Sequence, residues 1–360
     1  MTPIPSADGT YPTGRTGVAR RWDGEAWVGP RVPAEDAPPL HAPRSLVRMI
    51  RRWPFRIALG GVLIGLAVSV LGTTLDRNTV LLLAGGFLAA GGPILALILV
   101  VRRRLGINNL DTAAATRAGL LAGAVAMLLA FVIERALGSL FNSPGGRPNE
   151  VLLLLAGPIE EGAKLLVPLI LLATSAAVVS TPRLGVYVVL VSGGLFGAVE
   201  GALYAADLGG PRLRDPVGPL TQALPGLSDA EAADFAEVLI TAERAWTELG
   251  HPFWTTGAAA IIWLAAHNGT RNLRWIAVGA YLAASTLHSF NDGVLTHPSG
   301  ALPTLATLAW IALSYALWFR QLVRRLVPPD KLSEVPARWI PLPPLPRKSV
   351  SAEGRRHDGV

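Results

Sequence analysis

The stretch EVLLLLAGPIEEGAKLLVPLILLATS, residues 150–175, decides the class of this protein. It is apolar over a length that crosses the hydrocarbon core of a bilayer, for which about 20 residues suffice. Glu160, Glu161 and Lys164 nevertheless lie near its middle. Each such side chain costs about 2.5 to 3.5 kcal/mol at the centre of an inserted helix. The stretch therefore predicts a membrane helix that carries part of a functional site.

Apolar runs of similar length recur along most of the chain. Hydrophobic residues make up 51% of the sequence and charged residues 16%. Helices are the expected spanning elements, because a helix satisfies its backbone hydrogen bonds within one segment. The predicted fold class is thus all-α, a polytopic membrane bundle of about eight transmembrane helices. The spans are expected near residues 55–75, 79–101, 113–133, 150–175, 184–206, 251–267, 274–290 and 301–319.

The two ends of the chain differ from this transmembrane domain, which is expected over 46–327. Residues 1–45 are polar, without a secretory signal, and are predicted to be a flexible cytoplasmic segment. Their W-D-G-x-x-W element, Trp22 to Trp27, is either a small docking or folding motif or part of a disordered tail. Residues 328–360 are rich in proline and charge and are predicted to be a disordered cytoplasmic tail.

The net charge of +7 is spread over loops and tails next to apolar segments. This pattern favours a topology signal over a nucleic-acid-binding face. A cytoplasmic N-terminus places most basic loops inside, so the prediction is a multi-pass plasma-membrane protein with both termini cytoplasmic. The expected partners are the lipid bilayer and a membrane-protein substrate, with no nucleic acid.

The outer loop over 207–250 contains a predicted amphipathic helix. Ser228 and Glu231 have the spacing of a capping box. Apolar residues then recur at helical spacing through Trp246, with acidic residues between them. The pattern indicates a helix at the membrane surface. Its role as an interfacial anchor or as a lid over the site stays open.

Four spans bring ionisable side chains toward the outer side of the membrane. Glu160 and Glu161 lie about 15 Å along the fourth span, and Glu200 lies about 9 Å from the outer end of the fifth. His251 opens the sixth span at the outer face. Agreement in depth and side among separate helices favours one site beneath the outer surface.

Ionisable pairs four residues apart share a helix face. Lys164 follows Glu160 at this spacing and can neutralise one carboxylate of the Glu pair. His288 and Asp292 have the same spacing and close the seventh span, where Asp292 can orient or help ligate beside the imidazole. Taken alone, each pair is also consistent with a buried ion pair or a helix cap.

Four motifs occur in order along these spans. They are E-E-x-x-K at 160–164, F-x-x-x-E at 196–200, R-x6-H-x3-T from Arg244 to Thr255, and H-x-x-x-D at 288–292. Together they resemble the PrsW family of intramembrane metalloproteases, relatives of the CAAX prenyl endopeptidases and bacteriocin-immunity proteins. The resemblance covers residues 150–295. It implies proteolysis of a membrane-embedded or membrane-proximal substrate, in the best-known case an anti-sigma factor cleaved on the outer side.

The resemblance also implies a divalent metal, with zinc expected. Since the chain has no cysteine, any metal must use histidine, aspartate or glutamate. His251, His288 and Glu200 would hold the ion and leave a position open for water, as catalytic zinc requires. Asp292 would be a supporting ligand or an orienting group.

The glutamate pair would supply the general base. One of Glu160 and Glu161 would act on water, while the other would pair with Lys164 or bind metal. The sequence does not distinguish the two carboxylates. A metal-free mechanism, with a glutamate activating water and histidine stabilising the oxyanion, uses the same residues.

Two other functions are compatible with ionisable residues in the spans. One is a non-enzymatic scaffold or immunity-type partner, in which the polar cluster is structural. The other is a transporter or proton relay. Against transport, no comparable polar residues continue toward the cytoplasmic half of these helices, and repeated halves are not apparent. The protease is therefore the favoured prediction.

Overall fold

The structure is a computed structural model that describes residues 9–12, 18–22, 27–33, 53–107, 109–141, 150–206, 226, 228–295 and 301–327. Helices dominate the described ranges. They are α1 (Trp53–Thr74), α2 (Thr79–Leu105), α3 (Asn109–Phe141), α4 (Glu150–Ala173), α5 (Pro182–Ala205), α6 (Asp229–Thr247), α7 (Gly250–His267), α8 (Leu273–Phe290) and α9 (Ala301–Leu313). A π-helical turn, Asn291–Leu295, follows α8, and a second π-helical stretch, Ser314–Phe319, continues α9 into the turn Arg320–Val323.

Four of the described helices are long and apolar enough to cross a membrane. They cover Trp53–Thr74, Thr79–Leu105, Asp111–Ser139 and Pro182–Ala205. Each begins and ends within a few residues of an expected span, except that α3 continues to Phe141 and thus past the expected end at 133. These helices support the prediction of a helical membrane protein. The total of eight spans and the cytoplasmic termini stay predictions.

The N-terminal segment adds a small sheet to the helical membrane domain. Strands β1 (Gly9–Pro12), β2 (Val18–Trp22) and β3 (Trp27–Pro33) pair antiparallel in the order β1-β2-β3. Trp22 pairs with Trp27, so the W-D-G-x-x-W element joins β2 to β3. Aromatic and β-branched residues favour such pairing, which an all-α description omits. The predicted flexibility of residues 1–45 and the domain boundaries stay predictions.

Small residues let α1 and α2 approach closely. A Cβ atom added to Gly61 would lie 2.5 Å from the Cα atom of Gly92, and one added to Gly65 would lie 2.5 Å from the backbone nitrogen of Ala89. Such interfaces suit membrane helices, because helix association in lipid depends on close packing. On its other side α2 packs against α5, where Gly86 lies beside Ala205.

Most of α5 is buried, and its first half lies in the main apolar core. Tyr187 and Leu190 pack there with Trp254, Ile262 and Trp263. The Trp263 indole N–H donates to the carbonyl oxygen of Val179 at 3.2 Å. This core lies at the end of α5 opposite Glu200, so the helix runs from an apolar interior to a polar one.

Helix α6 has its expected capping box. The Ser228 hydroxyl accepts from the backbone N–H of Glu231, and a Glu231 carboxylate oxygen accepts from the backbone N–H of Ser228 at 2.8 Å. These hydrogen bonds favour the charged carboxylate and lower the pKa of Glu231. The start of the helix therefore agrees with the sequence pattern.

The orientation of α6 differs from the predicted surface helix. Its polar residues Glu237 and Thr241 are buried, whereas Phe235, Leu239 and Trp246 are each more than 40% exposed. An interfacial helix would turn its polar face toward water. The polar face turns inward here because it has partners in the bundle.

Contacts with these partners place α6 alongside α1. Near the middle of α6, the Arg77 guanidinium forms an ion pair with Glu237. One turn later, the Thr241 hydroxyl donates to the Ser69 hydroxyl oxygen at 3.3 Å. Near its end, Ala245 packs in a cluster with Val62, which lies about 18 Å along α1 from Thr74. The helix thus ends within the bundle, beside the polar cluster.

Candidate active site

Two prolines in α4 leave backbone carbonyl groups free to accept hydrogen bonds from neighbouring helices. Proline lacks the N–H that would bond the carbonyl four residues earlier. Pro158 therefore leaves the carbonyl of Leu154 unbonded within the helix, and the Ser289 hydroxyl donates to it at 2.7 Å. Pro168 does the same for the carbonyl of Lys164, which accepts from Ser192 at 3.4 Å. Helices α8 and α5 are thereby attached to α4 on either side of the glutamate pair.

Glu161 uses both of its carboxylate oxygens within the protein. Its Oε1 atom accepts from Lys164 Nζ at 2.9 Å and lies 3.0 Å from His288 Nδ1. Its Oε2 atom accepts from the Thr255 hydroxyl at 2.5 Å. Carboxylates in this position fix the orientation of an imidazole and leave the opposite ring nitrogen facing the site. Glu161 therefore joins α4 to α7 and α8.

Glu160 faces the space between the two imidazoles. Its Oε2 atom lies 3.6 Å from His251 Nδ1 and 3.6 Å from His288 Nε2. The same oxygen accepts from Lys164 Nζ at 3.1 Å. The two adjacent carboxylates therefore differ in their surroundings, a difference that the sequence left open.

Lys164 is fully buried and donates in three directions. Besides the two glutamates, its ammonium lies 2.7 Å from His251 Nδ1. It also lies 4.0 Å from the centroid of the Phe196 ring, within cation–π range. The aromatic residue of the F-x-x-x-E motif thus borders the buried ammonium.

His251 lies between α5 and the end of α6. Its Nε2 atom is 2.7 Å from Glu200 Oε2 and 3.0 Å from Glu248 Oε2. An ammonium can only donate, so Nδ1 accepts from Lys164 and the ring proton lies on Nε2. This proton faces the two carboxylates.

The glycines around Glu200 leave room for the junction between α6 and α7 to pack closely against α5. A Cβ atom added to Gly197 would lie 2.7 Å from the carbonyl oxygen of Glu248 and 3.1 Å from His251 Cδ2. Gly193 lies similarly close to His251 and Pro252. These glycines bring Glu200 close to His251.

His288 lies beside Asp292 and beneath an indole ring. Its Nε2 atom is 3.0 Å from Asp292 Oδ2. Its ring stacks on Trp254 with centroids 4.7 Å apart and lies 4.9 Å from the ring of His251. The expected site residues on α4, α5, α7 and α8 thus meet in one buried cluster.

Glu248 and Trp254 were missed by the sequence reasoning. Glu248 ends α6, and its Oε1 atom accepts from Arg244 Nη1 at 2.8 Å. The Arg244 guanidinium also lies 3.6 Å from the centroid of the Tyr204 ring. The spacing E-x-x-H, from Glu248 to His251, was the available signal. The assignment of α6 to the membrane surface concealed it.

A comparison with known protein families agrees with this geometry. Residues 112–318, more than half of the chain, match the model of the PrsW family of intramembrane metalloproteases. The chain belongs to the PrsW family. It is therefore a membrane-embedded peptidase, and the resemblance drawn from the four motifs is confirmed. No curated protein and no solved structure matches the chain.

A metalloprotease of the PrsW family implies a divalent metal, and the described side chains fit one. Glu160, His251 and His288 form one group of possible ligands, and Glu200, Glu248 and His251 form another. Within each group the donor atoms lie within 4.8 Å of one another. His288 Nε2 is buried without a hydrogen bond of good geometry. Nitrogen and carboxylate oxygen donors of this kind suit zinc.

Proposed function

We propose that this protein cleaves a membrane-embedded or membrane-proximal polypeptide near the outer face of the membrane. One observation carries the proposal: the glutamate pair, two imidazoles, Glu200 and Asp292 form a single buried cluster on four helices. Ionisable groups within spans are costly and mark functional sites by default. The eight-span topology with both termini cytoplasmic would place the cluster in the outer half of the bilayer.

The metal ligands in this proposal are His251, His288 and Glu200. Asp292 would support His288, whose opposite nitrogen Glu161 already holds at 3.0 Å. The ion, with zinc expected, would supply Lewis acidity at the scissile carbonyl and make an attacking water more acidic. Three protein ligands with an open position are what such chemistry requires.

Glu160 is the proposed general base. Its Oε2 atom faces both imidazoles, whereas both oxygens of Glu161 are held by other groups. Glu160 would take a proton from water as the water attacks, and would pass it to the departing amine. Lys164 would limit the accumulation of negative charge around the pair.

The proposed substrate class is a membrane-anchored regulator of the anti-sigma-factor type. This follows from what is implied by the family resemblance, and a plasma-membrane location is proposed with it. A buried site favours a segment that reaches it within the bilayer. The cleavage position is therefore expected in or next to a transmembrane segment of the substrate.

The test compares cells that produce the wild type with cells that produce Glu160→Gln. New protein N-termini in isolated membranes are identified by mass spectrometry, with equal amounts of the two proteins verified by immunoblot. Termini near transmembrane segments should occur with the wild type and be absent from the variant. Glu243→Gln, on α6 away from the imidazoles, serves as the control. Identical sets of termini for wild type and Glu160→Gln would refute proteolysis at this cluster and favour a structural role.

A further inference from the structure

Glu248 occupies one of the unspecified positions of the R-x6-H-x3-T motif, yet it contacts the imidazole of His251. The residue is only 1% exposed. Its Oε1 atom is held by Arg244 at 2.8 Å, which leaves Oε2 pointing at His251 Nε2, 3.0 Å away. Glu200 Oε2 lies 2.7 Å from the same nitrogen. Both Oε2 atoms are buried without a hydrogen bond of good geometry.

Charge in the cluster is unbalanced. Among the described residues, five carboxylates lie within 3.6 Å of an imidazole nitrogen, and two permanent cations pair with them. The carboxylates belong to Glu160, Glu161, Glu200, Glu248 and Asp292, and the cations to Lys164 and Arg244. With all five carboxylates ionised, negative charge exceeds positive charge even if both imidazoles carry a second proton. Buried charge without compensation is costly, so the cluster favours an added cation.

We propose that Glu248 is a metal ligand, which joins Glu200 and His251 Nε2 in holding the divalent ion. The inference rests on the proposed function and revises its ligand set, because Glu248, and not His288, forms one donor group with Glu200 and His251. This set keeps three protein ligands and an open position. One nitrogen and two carboxylate oxygens within 4.8 Å of one another match the donors that zinc accepts. To offer Nε2 as a ligand, His251 would carry its ring proton on Nδ1. Lys164 would then no longer donate to Nδ1 and would keep its contacts with the glutamate pair.

The residues around Glu248 hold its carboxylate in place, as expected of a metal ligand. Carboxylate ligands are commonly held by hydrogen bonds from neighbouring residues. Arg244 provides such a bond, and its guanidinium also lies 3.6 Å from the centroid of the Tyr204 ring. Helix α6 follows a fixed course along α1 to this point, anchored by Glu237 and Thr241. Its proposed role is thus to deliver a ligand, where the sequence left an interfacial anchor and a lid as alternatives.

Two substitutions of Glu248 test the assignment in the full-length protein in detergent. Glu248→Gln keeps an oxygen for the Arg244 hydrogen bond but removes the charged donor. Glu248→His replaces the oxygen donor with a nitrogen donor. The proteins are stripped with a chelator, and Zn²⁺ affinity is measured by competition with an indicator dye. Co²⁺ absorption reports on the ligand set, and Glu243→Gln is the matched control.

We expect the Kd for Zn²⁺ to rise at least about 10-fold in Glu248→Gln and to stay near the wild-type value in Glu243→Gln. Glu248→His should bind Co²⁺ with altered visible bands, because a nitrogen has replaced an oxygen. Wild-type Zn²⁺ affinity in Glu248→Gln would overturn the assignment. If that variant does not fold, a Co²⁺ spectrum of Glu248→His identical to that of the wild type would overturn it instead.

These results are separable from the test of proteolysis. A wild-type protein that binds no divalent ion would refute the ligand assignment and the metal-dependent mechanism together. Loss of cleavage in Glu160→Gln, with Zn²⁺ affinity unchanged in Glu248→Gln, would refute the ligand assignment alone. Metal affinity is measured without substrate, so the outcome does not depend on which polypeptide is cleaved.

Discussion

The two ends of α5 are both buried, but they are held by different forces. At the first end, Trp263 lies against Gly185, and the surrounding core is apolar. At the second end, Glu200 meets His251 and the end of α6. Lipid is as apolar as the side chains of the first end, so that end depends on close packing. The second end depends on hydrogen bonds and ion pairs that lipid cannot replace.

Because the two ends of α5 differ in this way, the stability of the bundle and the catalytic rate can be tested with separate substitutions. Filling space at the apolar end should destabilise the bundle and leave the catalytic groups of the folded protein intact. Changing one polar atom at the other end should reduce cleavage with little effect on unfolding. A substitution that altered both properties equally would show that the two ends act as one unit.

The largest expected effect is that of Glu160→Gln on catalysis. We expect cleavage to fall about 10²- to 10⁴-fold, because a positioned general base contributes this much to a rate. The amide is isosteric, so thermal unfolding in detergent should change little. The rate is measured on a peptide that spans a cleavage position identified in membranes. A rate close to that of Glu243→Gln would contradict the assignment of the base.

Thr255→Val should have a smaller effect on the same chemistry. It removes the hydrogen bond to Glu161 Oε2 at 2.5 Å and leaves that buried oxygen without its donor. We expect a loss of about 10- to 100-fold in cleavage rate, as for other residues that support a catalytic centre. Thr255→Ser keeps the hydroxyl and should restore most of the rate. Failure of serine to restore it would indicate that packing, and not the hydrogen bond, matters here.

Gly185→Ala probes the apolar end. An added Cβ atom would lie 1.8 Å from Trp263 Nε1, so the indole must move. We expect the free energy of unfolding to fall by about 1–3 kcal/mol, the usual cost of overpacking. Gly91→Ala is the control, because its Cβ atom would have its nearest neighbour at 3.9 Å. Equal stability of the two variants in a detergent unfolding titration would contradict the packing argument.

The smallest effect is expected at the entrance of α6. Ser228→Ala removes the hydroxyl that accepts from the backbone N–H of Glu231. Loss of such a cap costs about 1 kcal/mol. Ser228→Thr should retain most of this stability. Because the cap lies far along α6 from Glu248, the cleavage rate should be unchanged, and a large loss of rate would show that α6 is less firmly anchored than its contacts indicate.

Much of the helical architecture could be predicted from the sequence. The fifth span was expected at 184–206 and is Pro182–Ala205, and the second was expected to begin at 79, where α2 begins. Apolar length is a local property and sets these bounds well. The end of α3 was placed too early, because Glu134 interrupts the apolar run although the helix continues to Phe141.

The site was predicted in its residues but not in its contacts. Spacing along single helices correctly placed Lys164 beside Glu160, and Asp292 beside His288. The distinction between Glu160 and Glu161 could not be made, since it depends on contacts made by other helices. Glu248 was missed because an amphipathic helix has the same sequence pattern whether it lies on a membrane surface or inside a helical bundle.

The sequence by itself determined which segments are helical and which helices carry ionisable groups too costly to leave alone in lipid. Both follow from composition over one segment and from the energy of transferring its side chains. Only the tertiary structure decided which carboxylate meets which imidazole, and that α6 turns its polar face inward. These outcomes depend on how helices that are distant in the chain rotate and approach one another. Their arrangement is set by close packing at glycines, by hydrogen bonds to the carbonyls that the prolines leave free, and by buried ion pairs.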